Sequence, residues 1–210
     1  MKTRNKVLLL ALVAILLVVT TVFATLAYLT SVTDTVTNTF TVGNVSITMD
    51  EADVNTDGSY KTDATQRDTE NEYKLISGKQ YIKDPTIHVG AGSEASYLFV
   101  KIDNQLGNNV TLEGGVLGTD LVLVDGYKDL YVYKLEAGDE DDVDEATMID
   151  GNTDDIVLFE TFTVANLNND GLAALGGKEI VLKAFAIQNE SVDFATAKAE
   201  AVTTLGATAA

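Results

Sequence analysis

The chain has 210 residues, 32 acids against 14 bases, a formal net charge of −18 and a pI near 4.2. So acidic a surface repels phosphates, which excludes nucleic acid and anionic membrane surfaces as partners. The absence of cysteine excludes disulfides, thiolate zinc sites and thiol catalysis, and the single histidine, His88, excludes any two-histidine metal motif.

In chain order, the first feature is a targeting segment. Residues 1–6 carry Lys2, Arg4 and Lys6 and no acid; residues 7–19 are unbroken apolar, and no acid appears before Asp34. A basic start, an apolar run and a small-residue exit describe a secretory signal peptide, predicted as a helix within 1–27. Cleavage is expected after Ala27, ahead of Tyr28, or after Ala24. The competing reading is an uncleaved anchor, because 7–29 is long enough to cross a bilayer. On either reading the remainder lies outside the cytoplasm, and the membrane is touched only through this segment. Removing 1–27 takes away three bases and no acid, so the charge of −18 becomes −21.

The body, 40–206, reads as β. Thr, Val and Ile dominate candidate strands at 39–49, 80–89, 96–104, 110–113, 121–124, 130–135, 156–164 and 179–188. Gly, Asn and Asp turn signals separate them, which predicts an all-β, antiparallel β-sandwich. Both faces of 96–104 are apolar, as in a central strand. Polar insertions at 51–73 and 136–155, the second with ten acids, read as solvated loops. A short C-terminal helix is expected to start at the cap Asp193. It carries an apolar stripe of Phe194, Ala197, Ala201, Val202 and Leu205 and stops at Gly206. Residues 207–210 are expected to fray.

Chemistry-bearing motifs are sparse. Asp53-x-Asn55-x-Asp57-Gly58 opens like a calcium loop, with oxygen ligands at alternate positions and a glycine for the turn. Ala64 stands where an EF-hand places its closing glutamate. Calcium at Asp53, Asn55 and Asp57 is the one cofactor the sequence offers; diffuse cation binding by 139–145 would offset self-repulsion. His88 shares the parity of Thr86, opposite Ile87 and Val89, and points to solvent or a neighbouring strand. No G-x-S-x-G, Walker or dinucleotide fingerprint is present, so a non-enzyme is expected.

The stretch TLAYLTSVTDTVTNTFTVGNVSITMDEA, residues 25–52, resembles the signal-peptide junction of the TasA/camelysin family. Its members are secreted by Gram-positive bacteria and processed by a SipW-type signal peptidase. The blocks GKQYIKDPTIHV and GSEASYLFVKI resemble the family's second and third strands, and AFAIQNESVDFA its closing strand and helix. The resemblance covers about a third of the chain and implies a jelly-roll-like sandwich that polymerises head to tail into a biofilm-matrix fibre. The freshly cleaved leader, 28–39, would then be the donor strand, with Leu29, Val32 and Val36 as assembly residues. Strand addition to an open sheet edge makes this physically sound: backbone hydrogen bonds supply affinity and alternate side chains supply register. The alternatives are a camelysin-like surface metallopeptidase, with zinc on His88 and carboxylates, and a membrane-anchored adhesion domain.

Overall fold

The structure, a computed structural model, describes residues 5–6, 12–17, 44–133, 148–190 and 192–210. The chain divides into two units, Met1–Thr41 and Val42–Ala210. In the first, residues 12–17 are helical, with Leu12, Ile15, Leu16 and Leu17 all exposed. No helix among the described residues is long and apolar enough to cross a membrane. The leader 28–39 and the expected cleavage and assembly residues Ala27, Tyr28, Leu29, Val32 and Val36 lie outside the described residues, as does 136–147 of the acidic insertion.

In the second unit, the strands are β1 (Ile47–Ala52), β2 (Arg67–Asp68), β3 (Gln80–Ile82), β4 (Thr86–Val89), β5 (Ser96–Asn104) and β6 (Val110–Glu113). They continue with β7 (Leu121–Leu123), β8 (Leu130–Tyr133), β9 (Ile156–Val157), β10 (Thr161–Val164) and β11 (Ile180–Gln188). Among the described residues they form three antiparallel sheets, ordered β2-β1-β4-β9, β3-β10-β6 and β11-β5-β8-β7. The fold is all-β, an antiparallel sandwich closed by a C-terminal helix.

β5 is its centre because its sequence is apolar on both faces. Leu98, Val100 and Ile102 pack with Ile87, Ile149, Ile156 and Leu158 in the layer shared with the first sheet. Tyr97 and Phe99 turn the other way, onto Phe194, Ala197, Ala201 and Leu205 of the helix Phe194–Leu205. Each such large side chain, fully buried, contributes about 1.5–3 kcal/mol. The helix begins where Asp193 accepts a hydrogen bond from the Thr196 N–H and ends at Gly206 in the left-handed conformation.

Three expectations are corrected. First, 80–89 and 156–164 are not single strands. Each breaks into two, and the breaks face each other: Lys83 N donates to Glu160 O, and Leu158 N to Pro85 O. Pro85 has no N–H for the ladder, and Leu158 and Phe159 are both buried, which alternation forbids within one flat strand. The paired ribbon therefore bends and hands its ends to different sheets.

Second, 51–73 is not merely a solvated loop. Arg67 and Asp68 pair with Ala52 and Glu51 of β1, and Val54 is buried. Third, the tail 207–210 does not fray. Thr208 N donates to Asp129 Oδ1, Lys128 N to Thr208 O and Ala210 N to Gly126 O.

Candidate functional site

Among the described residues the longest edge strand is β11. It pairs along its whole nine-residue length with β5, from Ile180 opposite Asn104 to Gln188 opposite Ser96. No strand among the described residues lies on its other side. Asn189 N donates to Ala95 O and Gln105 N to Glu179 O. Odd-numbered positions therefore turn their backbone groups to β5, and Ile180, Leu182, Ala184, Ala186 and Gln188 point theirs outward. Such a row is a template for another strand, and natural edges are usually blunted by charge, proline or a bulge. Here Lys183 is the one charged residue in the strand.

A second polar constellation covers the outer face of the first sheet. Arg67 donates from Nε to Asp50 Oδ1 at 2.7 Å, from Nη1 to Asp84 Oδ2 at 2.7 Å and from Nη2 to Thr86 Oγ1 at 2.9 Å. Asp84 Oδ1 accepts from the Ala52 N–H. His88 meets Asp50 through Nε2 at 3.1 Å and Asp155 through Nδ1 at 2.7 Å. The hydrogen bond to Asp50 raises the imidazole pKa above its usual value, against the opposing effect of burial and with a further contribution from Asp155. Burial alone would raise the Asp50 carboxyl, but hydrogen bonds from Arg67 and His88 hold it below the usual range.

The side chains of the expected calcium residues Asp53, Asn55 and Asp57 are engaged in local contacts. Asp53 Oδ1 lies 2.6 Å from Lys61 Nζ. The Asn55 side-chain amide donates to Ser59 Oγ and Tyr60 O, while Asp57 Oδ1 accepts from the N–H and hydroxyl of Ser59. All three serve the turn that brings Val54 opposite Tyr60. Of the two directions its parity allowed, His88 turns to the neighbouring strand, with a carboxylate at each ring nitrogen. Among the described residues no group of three or more His, Asp or Glu side chains is placed to hold a metal ion.

Sequence reasoning missed Arg67. The available signal was its isolation: apart from Arg4 in the export segment, it is the chain's only arginine, set among acids. No protein-family model, curated protein or solved structure matches the chain.

Proposed function

We propose that the chain is an exported structural protein, the subunit of an extracellular matrix fibre or cell-surface layer. Its processed N-terminus, 28–39, is donated as a strand to the β11 edge of the next molecule. The observation that carries this reading is the nine-residue edge of β11, apolar, nearly uncharged and without a second strand partner among the described residues. The donor supplies the matching pattern: Val32, Asp34 and Val36 alternate with Thr33, Thr35 and Thr37. The contact is head to tail, and a head-to-tail contact that does not close on itself propagates as a filament. While 28–39 is joined to the export segment it is held back, so cleavage acts as the switch. Cations that screen the charge of the acidic subunits favour bundling of the filaments.

Negative-stain microscopy and sedimentation of the chain starting at Tyr28 test the reading. Filaments are expected from that chain and not from one starting at Phe40. A processed chain that stays monomeric at high concentration in every salt overturns it.

A further inference from the structure

Buried Glu51 and Lys83 and half-buried Asn71 form a cluster that neither the sandwich core nor the β11 edge uses. The side chains of Lys83 and Glu51 are 9% and 7% exposed, and Lys83 Nζ lies 2.5 Å from Glu51 Oε2. The other carboxylate oxygen, Oε1, accepts from Asn71 Nδ2 at 2.9 Å. One carboxylate thus holds an amine and a carboxamide side by side. The amide is itself oriented: Nδ2 also donates to Ala52 O, and Oδ1 accepts from the Val54 N–H at 2.9 Å. Tyr73 covers the amine, its ring centre 5.9 Å from Lys83 Nζ. That ring is locked edge-on against Tyr81 and Phe162 and by a hydrogen bond from its hydroxyl to Ile82 O.

A salt bridge alone needs neither an oriented amide nor a carbonyl donor. The arrangement has each part required for acyl transfer from an amide to an amine: a nucleophile, an electrophilic carbonyl, a donor where negative charge develops and a proton carrier touching both nitrogens. We propose that Lys83 and Asn71 join spontaneously through a side-chain amide bond, with Glu51 carrying the protons. The Lys83 ammonium passes a proton to the Glu51 carboxylate, and the neutral Nζ attacks Asn71 Cγ. The C–O π electrons move to Oδ1, facing the Val54 N–H. Glu51 gives its proton to Nδ2 and takes one from Nζ. The tetrahedral centre then collapses, the Cγ–Nδ2 bond breaks and ammonia leaves. An ammonium, a carboxylate and a carboxamide become a secondary amide, a carboxylic acid and ammonia, with atoms and charge balanced and no oxidant or cofactor required.

The bond would tie the loop before β3 to the bend after it, closing a covalent ring that contains Tyr73 and Tyr81, which pack with Phe162, Val110 and Val164. It is independent of the fibre reading, since a monomer would form it equally well.

Intact mass spectrometry of the purified full chain is the test, followed by tryptic digestion and tandem spectra. The expected result is a deficit of about 17 Da, one ammonia, and a branched peptide joining Asn71 to Lys83, with no cleavage after Lys83. Glu51→Gln and Lys83→Arg are expected to restore the full mass, and the far-ultraviolet dichroism of each reports whether it still folds. A folded wild-type chain of full mass overturns the proposal. So does a deficit that the spectra place at a cyclised asparagine, or a cross-link that persists in Glu51→Gln.

Discussion

Arg67 and Asp84 are 17 residues apart in sequence, yet the Arg67 guanidinium lies 2.7 Å from the Asp84 carboxylate. The same guanidinium donates to Asp50 and Thr86, so one side chain ties the first polar insertion to both β1 and β4.

Removing it leaves two partly buried carboxylates facing each other. Arg67→Ala is expected to destabilise the fold by about 2–3 kcal/mol, below the range for fully buried pairs because its side chain is 25% exposed. Arg67→Lys, which keeps the charge and loses the fork, should fall between. Urea unfolding followed by tyrosine fluorescence measures both.

His88 sets a pH dependence. Its folded-state pKa is raised, first by the hydrogen bond to Asp50. The protonated form therefore favours the fold, and that contribution is complete below the unfolded value of about 6.5. It is lost as pH rises through the higher folded value. Between about pH 6 and pH 8 the urea midpoint of the wild type should fall, and His88→Gln should flatten that slope. Equal slopes for the two proteins would remove His88 as the cause.

The β11 edge can be closed without unfolding its sheet. The Ala184 N–H points away from β5, so Ala184→Pro removes an outward donor and spares the ladder. Filament formation should drop sharply while the dichroism spectrum stays β. Undiminished filament growth in that variant would move the acceptor away from β11.

Gly115 separates backbone freedom from space. It sits at φ +64°, and a Cβ there would meet the Val157 carbonyl oxygen at 2.5 Å and the Leu158 carbonyl carbon at 2.8 Å. The backbone there is held in place, because the Val157 and Leu158 carbonyl oxygens accept hydrogen bonds from the Val116 and Leu117 N–H groups. Gly115→Ala should cost about 2–4 kcal/mol. Gly126 has a similar φ of +81° with nothing near its Cβ position, so Gly126→Ala should cost only about 1 kcal/mol. Paired urea titrations test the difference.

What was legible in the sequence was set by local rules. Strand-forming runs bounded by turn residues defined β5 and β6 to the residue. The C-terminal helix was legible from Asp193 to Gly206 because caps act within one turn of the residues they cap. The bend at 83–85 was not, since a lone proline inside an apolar run also suits an edge strand, and only the facing break at 158–160 turns it into a corner. The polar clusters were equally hidden: Glu51, Asn71 and Lys83 are separated by 20 and 12 residues, and each looks like ordinary surface in its own neighbourhood. Sequence by itself determined that segments such as β5 and β6 are extended and where the helix starts and stops, because those depend on a few consecutive dihedrals and side chains. Tertiary structure alone decided which charges are buried together and which of the described strands lies at a sheet edge, because desolvation and sheet order arise only when distant segments pack.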